Sequence, residues 1–347
     1  MTIFSRLFTL FAALPTTKGP PPTSNHTYTL QHIYNSTNFF DKFEFLNLPD
    51  PATGLATYVN VSTAQDLGLA GITDGHIFLK ADMPHNNPEG KRDSIWVQGR
   101  EGFDAGTLFI IDMQSMPGNV CGAWSKLSTS QKSTTALAAD INIVQTQALQ
   151  DHNYMSLKTT PPQKCTFAPP QPPQTQNTNA SNQELATTQL GTFTPATNCS
   201  EPWKGCIVQG IQGDVADGFN NVTAGGGIWA MALEHDGIRI WRFFRKDIPK
   251  EISSGSGVVD VRGWSTPSAF FQYRYEDDNC DIFGIFRGQA LNFKIDFCGY
   301  GFDPGYWNTT GCAAATKYPN CEDFVRENPA VFGTVGWVVN EVRVYGH

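Results

Sequence analysis

The stretch GIWAMALEHDGIRIWRF, from Gly227 to Phe243, carries the pattern that decides the fold. Two apolar runs, residues 227–232 and 238–243, flank the polar segment Glu234-His235-Asp236-Gly237. Short apolar runs joined by an Asp-Gly turn are typical of a β-hairpin. We therefore predict two antiparallel strands here.

Other short apolar runs repeat this pattern along the chain. We predict strands within residues 77–81, 94–98, 107–112, 290–295 and 338–344, and one short helix over residues 321–328. The chain contains 32 Gly and 22 Pro, and only 16% of its residues are charged. Strands at this density, without intervening helices, favour an all-β protein, a jelly roll sandwich of two antiparallel sheets.

The 347 residues predict one domain over residues 28–347, preceded by a separate N-terminal segment. Residues 1–27 combine a marginal signal peptide, with an apolar stretch at residues 7–14, and a flexible Pro/Thr-rich tract. Residues 160–204 are rich in Pro, Gln and Thr. We expect them to form a surface loop without any packed element, pinned by Cys165, Cys199 and Cys206.

Charge and cysteine content narrow the classes of partner. The net charge of −8 and the lack of a long basic run argue against binding to nucleic acid or anionic membranes. Eight cysteines without a CxxC pair favour disulfides over zinc, although they leave 105 possible pairings. The seven histidines form no ligand pair, and the glycine run at residues 225–227 precedes no helix, so we predict no metal and no cofactor.

Glycosylation sequons indicate an extracellular protein. Asn-x-Ser/Thr begins at Asn25, Asn35, Asn60, Asn179, Asn198, Asn221 and Asn308. Together with the even number of cysteines, they predict a secreted, disulfide-bonded glycoprotein that can associate with the cell wall. The C-terminus has no apolar tail for a lipid anchor, and we expect a monomer.

Several blocks of sequence occur in the order found in one known family. They are residues 38–45, 106–112 followed by 121–124, 225–231 followed by 238–241, and 321–325 followed by 328–332. Together they resemble fungal secreted members of glycoside hydrolase family 16, of the endo-1,3(4)-β-glucanase or laminarinase type, over about residues 28–345. In that family residues 38–45 would be the opening strand. The resemblance implies a β-jelly roll in which one sheet curves around a glucan cleft, crossed by a catalytic strand.

The family's catalytic strand carries Glu-x-Asp-x-x-Glu, in which the first Glu is the nucleophile, the Asp tunes it and the second Glu is the acid/base. The resemblance places Asp140, Asn142 and Gln145 at these three positions. Residues i and i+2 of a strand share one face. The third position, at i+5, therefore requires a bulge.

The register of this motif depends on a second block downstream. Residues 155–159 resemble the family's Met-Thr-Leu-His-Thr, and they lie at the family distance only if Gln145 is the second Glu. An ungapped count from the upstream block would start the motif at Ala139 instead. That register puts the apolar Ile141 and Val144 at the polar positions.

Each replacement weakens the retaining mechanism that the family uses. Asp140 is one methylene shorter than Glu, and Asn142 carries no charge. The amide of Gln145 cannot donate a proton, and general acid/base catalysis typically contributes 10²–10⁴-fold to the rate. We therefore expect little or no glucanase activity.

Aromatic side chains and one lysine are the candidate ligand contacts, because the C–H face of a sugar can stack on an aromatic ring. The candidates are Lys158, in place of a cleft His of the family, with Trp124, Trp229 and Trp241, and as further platforms Trp264, Tyr300 and Trp307. In the family, residues at the positions of 125–132 form part of the cleft floor. Here this stretch is polar and contains no aromatic residue.

Two classes of function follow. The first is binding of cell-wall β-glucan without cleavage, or a structural or interaction role. The alternative is an active or residual endo-β-glucanase, with Asp140 as nucleophile and Glu234 or Asp236 as the acid.

Overall fold

The computed structural model describes residues 25–83, 90–132, 139–161, 163–167, 188–201, 205–221, 225–274, 279–302 and 304–347. The predicted signal peptide lies outside these ranges, and so do residues 168–187 of the Pro/Gln/Thr-rich tract predicted at residues 160–204. Within the described residues, no helix is long and apolar enough to cross a membrane.

Strands dominate the described residues. In chain order they are β1 Thr27–Asn35, β2 Phe43–Phe45, β3 Ala56–Tyr58, β4 Ala70–Thr73, β5 His76–Lys80, β6 Arg92–Ser94, β7 Trp96–Gly99, β8 Thr107–Ser115, β9 Ala123–Gln131, β10 Asp140–Gln147, β11 Tyr154–Lys158, β12 Thr192–Phe193, β13 Cys206–Gln209, β14 Gly227–Glu234, β15 Gly237–Phe244, β16 Val258–Asp260, β17 Ala269–Gln272, β18 Gln289–Phe297 and β19 Gly336–Gly346.

The helices of the described residues are short. They are α1 Phe39–Lys42, α2 Val61–Asp66, α3 Ala216–Phe219, α4 Lys250–Ser253, α5 Ile282–Ile285, α6 Pro304–Thr309, α7 Cys312–Thr316 and α8 Cys321–Glu327. Four 3₁₀ turns span Arg245–Asp247, Val261–Gly263, Gly299–Phe302 and Pro329–Thr334.

Two antiparallel sheets form the jelly roll, which confirms the predicted fold class. The back sheet has the order β16-β1-β19-β8-β14-β15-β17, with β5 and β4 added beside β19. The second sheet, called the cleft sheet below, has the order β12-β13-β11-β10-β9-β18-β7-β2. Strands β3 and β6 form a separate parallel pair.

The main core lies between the two sheets. Ile111 and Met231 of the back sheet belong to it, as do Leu127, Ile141 and Phe293 of the cleft sheet, and all five are fully buried. Burying a side chain of this size contributes about 1.5–3 kcal/mol to folding. The packed inner face thereby fixes which residues of the cleft sheet remain on its outer face.

The back sheet is also covered on its outer face. Trp241 packs there against Trp264, with ring centroids 5.1 Å apart, and against Val259 and Ile252 from the segment that follows β15. Because both faces of β14 and β15 are buried, neither strand offers a surface to a large ligand.

The predicted hairpin and the predicted helix are both present. Strands β14 and β15 pair from Gly227 to Glu234, and α8 begins after Asn320, whose side chain accepts a hydrogen bond from the Asp323 amide. The expected opening strand differs, because it begins with the helical turn α1. Phe39 of that turn stacks on Phe43 at 4.1 Å between ring centroids.

Further short helices occur where the sequence led us to expect none. Helix α2 is one example, in which the Asn60 side chain accepts a hydrogen bond from the Thr63 amide and so caps the helix. A cap of this kind typically contributes about 1 kcal/mol. Helices of four to seven residues contain too few turns to produce a helical hydrophobic period in the sequence.

All eight cysteines form disulfides, as predicted. The pairs, which the sequence left open, are Cys121–Cys312, Cys165–Cys280, Cys199–Cys206 and Cys298–Cys321.

The expectation that residues 160–204 contain no packed element is wrong for their described parts. Strand β12 pairs with β13. Phe167 and Phe193 also pack edge-on against Phe271, with centroids 5.5 and 5.7 Å away. The Pro- and Thr-rich composition masked these two isolated aromatic anchors.

Candidate functional site

A cavity of about 690 Å³ lies on the outer face of the cleft sheet. Its floor is built mainly from β7, β9, β10, β11 and β18. Alternate residues face it, because successive side chains of a strand point to opposite sides of the sheet. On β18, Asn292, Lys294 and Asp296 line the cavity, whereas Phe293 and Ile295 are fully buried in the core.

Strand β10 contains the bulge that its sequence requires. The pairing with β9 shifts by one residue between Asn142 and Val144. Ile143 and Val144 are therefore both fully buried, and Gln145 returns to the cavity face. As a result Asp140, Asn142 and Gln145 line the cavity together.

The residues of the alternative register lie on the opposite face of β10. Ala139, Ile141 and Val144 have no exposed surface and belong to the core between the sheets. They are out of reach of a ligand in the cavity. This geometry favours the register that begins at Asp140.

Asn153 holds the bulge in place. Its Nδ2 donates to the Ile143 carbonyl at 2.8 Å, and its Oδ1 accepts from the Gln145 amide at 2.9 Å. The side chain is fully buried. Asn153 thus satisfies two backbone groups that the bulge removes from the β-ladder.

Asp140 lies in an unusual charge environment for a carboxylate. Burial raises its pKa, while the ammonium groups of Lys126, Lys158 and Lys294 act in the opposite direction. Lys158 is its direct cross-strand neighbour on β11. Burial is the stronger effect because it disfavours the charged form of the carboxyl group.

Neutral side chains surround Asn142. Its Nδ2 donates to the Ser156 hydroxyl at 2.8 Å. On the far side of β9, the Asn292 Oδ1 accepts from Trp96 Nε1 at 3.1 Å and from Gln98 Nε2 at 3.0 Å. The middle of the cavity floor is therefore an amide and hydroxyl network without a carboxylate.

Lys126 is a half-buried cation at the cavity floor. It pairs across strands with Gln145 on one side and with Lys294 on the other. Its Nζ lies 4.1 Å from the centroid of the Trp124 ring. Burial, with further contributions from the Lys294 and Lys158 charges, lowers its pKa to about 8.

An ion pair lies near the end of β18. Lys294 Nζ lies 3.0 Å from Asp296 Oδ1, and the Tyr58 hydroxyl donates to the same oxygen. Burial and the Asp296 charge raise the pKa of Tyr58, so the phenol keeps its proton. Lys294 also lies over the Trp96 ring, 4.6 Å from its centroid.

The structure separates the predicted ligand contacts into two groups. Trp124, Lys158 and Tyr300 line the cavity. The expectation for Trp229 and Trp241 is wrong, because both lie on the back sheet and are at most 1% exposed. The same holds for Trp264 and Trp307, which are buried elsewhere in the fold.

The two carboxylates considered as alternative acids also lie away from the cavity. Glu234 is fully buried at the end of β14, where it accepts a hydrogen bond from the Tyr28 hydroxyl. Asp236 forms two hydrogen bonds with the Arg239 guanidinium, at 2.9 and 2.7 Å. Neither carboxylate can protonate a sugar bound on the cleft sheet.

Sequence reasoning missed several residues of the cavity. They include Trp96, Lys126, Tyr154, Lys294, Asp296 and Tyr306. The alternation Asn292-x-Lys294-x-Asp296 could have revealed the residues of β18, since a strand with one polar face is typical of a sheet exposed on one side. The tyrosines come from separate segments and carry no comparable pattern.

Comparisons with known proteins identify the family to which this fold belongs. Residues 43–345 match the model of the XgeA-like catalytic domain of glycoside hydrolase family 16. The chain is 29% identical over 328 residues to the endo-1,3(4)-β-glucanase XgeA of Emericella nidulans. That match covers 92% of this chain and 47% of the relative, so the chain spans about half of the relative's length.

Two solved structures share the fold over nearly their whole length. One is the laminarinase 16A of Phanerochaete chrysosporium, with 25% identity and a TM-score of 0.76. The other is an elongating family 16 β-1,3-glucosyltransferase, with 30% identity and a TM-score of 0.76. Each match covers 92% of this chain and 99% of the other. The chain therefore belongs to glycoside hydrolase family 16 and matches its XgeA-like group.

Proposed function

We propose that this protein is a secreted glycan-binding member of its family that has lost the glucanase reaction. The observation that carries the proposal is that Gln145 lines the cavity. The family resemblance assigns this residue to the acid/base position. A carboxamide has no proton to give to a leaving oxygen at neutral pH. The cavity would then hold a β-glucan chain without cutting it.

The remaining carboxylates do not replace the missing acid. Among the described residues that line the cavity, the carboxylic acids are Asp140 and Asp296. Asp140 pairs with Ser130, which pairs with Ala290, six residues from Asp296 along β18. At about 3.3 Å per residue, that separation is about 20 Å. A retaining glycosidase needs its two carboxyl groups about 5–5.5 Å apart.

Binding is supported by the aromatic groups of the cavity. Trp96, Trp124, Tyr154 and Tyr306 are half-buried and Tyr300 is exposed, and all five line the cavity. Rings in this position offer faces for stacking on sugars. The laminarinase 16A structure contains two β-glucans in its donor and acceptor sites, which makes a β-glucan the first ligand to test.

Secretion is supported by the disulfides and by the sequons. Four disulfides join the described cysteines, and disulfides persist in oxidising compartments. Of the sequon asparagines, five lie at exposed positions: Asn25, Asn60, Asn198, Asn221 and Asn308. An exposed position is a requirement for a bulky N-linked glycan.

Sedimentation with insoluble β-1,3-glucan tests the binding part of the proposal. We expect the protein to pellet with the glucan and Tyr300→Ala to stay largely in the supernatant. Val258 on β16 is similarly exposed but lies on the back sheet, so Val258→Ala is the matched control. Protein that stays in the supernatant under all conditions would leave only a structural or interaction role.

Restoring the motif tests the assignment of the three catalytic positions. The variant Asp140→Glu, Asn142→Asp, Gln145→Glu is expected to release new reducing ends from laminarin, and the same variant without Gln145→Glu is expected to release none. If the full restoration releases nothing, either the register or the cleft assignment is wrong.

The second candidate function is residual hydrolysis. Asp140 favours residual hydrolysis, because its carboxyl group lines the cavity and the family resemblance assigns it to the nucleophile position. Hydrolysis would then depend on water or on the ligand itself for the proton. Loss of any measured activity in Asp140→Ala separates this candidate from non-catalytic binding.

A further inference from the structure

The cavity floor carries more positive than negative side chains. Lys126, Lys158 and Lys294 line it, together with Asp140 and Asp296. The chain as a whole has a net charge of −8. The cavity therefore concentrates positive charge on an otherwise acidic protein.

Each of the two carboxylates lies beside one of the three cations. Asp296 forms an ion pair with Lys294 at 3.0 Å. Asp140 is the cross-strand neighbour of Lys158. The third cation, Lys126, makes no ion pair within the part of the chain that the structure describes, and its recorded contact is the Trp124 ring.

Asp140 and Lys126 form no ion pair, although their charges attract each other across the cavity floor. Asp140 pairs with Ser130 on β9, four residues from Lys126. Four residues of strand span about 13 Å, so the two side chains occupy different rows of the floor. Removing a cation from water is unfavourable, and Lys126 is half-buried. The Lys294 and Lys158 charges add to this cost, while the Asp296 and Asp140 charges offset it only in part, so the pKa of Lys126 remains lowered.

Two neighbours of Lys126 that face the cavity can donate hydrogen bonds. Gln145 lies beside it on β10 and Ser128 lies two residues along β9. An ammonium, an amide and a hydroxyl group together suit the oxygens of an anion. The Trp124 ring adjoins this group and offers a face for the sugar that bears the anion.

We propose that the cleft binds a β-linked glycan bearing an acidic group, a carboxylate or a sulfate, which Lys126 receives next to Gln145. This inference rests on the proposed glycan binding and specifies its ligand class. In the family motif the Gln145 position belongs to an acid that would repel such a group. The change to an amide removes that repulsion, so the same substitution abolishes proton donation and admits the anion.

The test compares matched neutral and acidic β-1,3-glucans on the unmodified secreted protein. The probes are laminarin, C6-oxidised curdlan as the carboxylate and curdlan sulfate as the sulfate, with affinities from isothermal titration calorimetry. At 50 mM salt we expect at least one acidic glucan to bind about tenfold more tightly than laminarin. The preference should shrink at 500 mM salt, because ions screen the contact.

Variants of Lys126 locate the contact. Lys126→Gln should weaken binding of the acidic glucan about tenfold more than binding of laminarin, whereas Lys126→Arg should retain the preference. Lys246 is exposed just beyond the back-sheet strand β15, so Lys246→Gln is the matched control and should change neither affinity. The ratio of the two affinities is measured within each variant, so a partly misfolded sample does not alter it.

The outcomes distinguish a failure of the acidic-glycan inference from a failure of the proposed glycan binding. Equal affinities for laminarin and both acidic glucans would overturn the inference and leave glycan binding intact. A preference that survives Lys126→Gln would overturn the assigned site. Absence of binding to all three probes would overturn the inference and the proposed function together.

Discussion

Replacing Lys126 by Met should stabilise the protein, which is unusual for a residue in a binding site. Burial lowers the pKa of Lys126 from its ordinary 10.5 to about 8. At 1.36 kcal/mol per pKa unit, holding the ammonium charged in the fold costs about 3 kcal/mol. Methionine has a similar shape and no charge, so it removes this cost.

Two effects reduce the stability that Lys126→Met is expected to gain. The side chain of Lys126 keeps partial contact with solvent, which screens the charge. The contact with the Trp124 ring, about 0.5–2 kcal/mol, is also lost. We therefore expect the free energy of unfolding to rise by about 1–2 kcal/mol at pH 7, and the melting temperature by about 1–3 °C.

The pH dependence distinguishes this cause from improved packing. The folded-state pKa of Lys126 lies below the unfolded value, so the unfolded chain binds more protons between about pH 8 and 10.5. The stability of the unmodified protein relative to Lys126→Met therefore rises with pH across that window. About a quarter of the difference in free energy of unfolding between Lys126→Met and the unmodified protein should remain at pH 10.

The assay is urea denaturation with intact disulfides, from pH 6 to pH 10, for the unmodified protein, Lys126→Met and Lys246→Met. Lys246 is exposed, so its variant should match the unmodified protein. A loss of stability in Lys126→Met, or a gain that is the same at every pH, would refute the reasoning. Either result would mean that Lys126 is not a desolvated, unpaired cation.

Three further changes probe the fold and the cavity. Asp296→Asn leaves Lys294 buried without its ion-pair partner and should lower the free energy of unfolding by about 3 kcal/mol. Replacing both Cys121 and Cys312 by Ser opens a link across 191 residues and should cost about 2–5 kcal/mol in the same denaturation assay. Trp124→Ala removes a stacking face of the cavity and should weaken glucan binding about tenfold by calorimetry, without reducing the melting temperature by more than a few degrees.

Each of these predictions has a clear contrary result. A loss below 1 kcal/mol for Asp296→Asn would mean that Lys294 finds another partner or water. An unchanged denaturation midpoint for the double serine variant would mean that this disulfide does not restrain the unfolded chain. Undiminished affinity in Trp124→Ala would place the ligand elsewhere.

The sequence was sufficient for the fold and for the face of β10. Alternating strands gave the jelly roll, and the need for three motif side chains on one face required the bulge that the structure contains between Asn142 and Val144. The strands depend on local periodicity, which a single sequence records, whereas the three motif positions on β10 came from the family resemblance.

The sequence did not predict where the tryptophan side chains of the back sheet point. Trp229 points from β14 into the core between the sheets, and Trp241 points from β15 into the layer that covers the back sheet. Strands buried on both faces lose the polar alternation that would reveal which side faces solvent. The covering layer comes partly from Ile252 and Trp264, whose packing depends on tertiary contacts that no local pattern encodes.

The sequence likewise did not predict which charged residues meet in the cavity. Lys126 and Lys294 are separated by 168 positions in the sequence and become direct neighbours only because β9 and β18 pair. Asp296 appears as an ordinary polar residue until the same pairing places it on the cavity floor. Long-range strand order decided these contacts, and it is not encoded in the spacing of a motif.

The most direct test of the central claim is the release of new reducing ends from laminarin and from mixed-linkage β-glucan by the unmodified protein, with Asp140→Ala as control. We predict release that does not exceed that of the control, because Gln145 cannot protonate the leaving oxygen. Release that is abolished by Asp140→Ala would show a working glucanase with another proton donor and would contradict the proposed loss of catalysis.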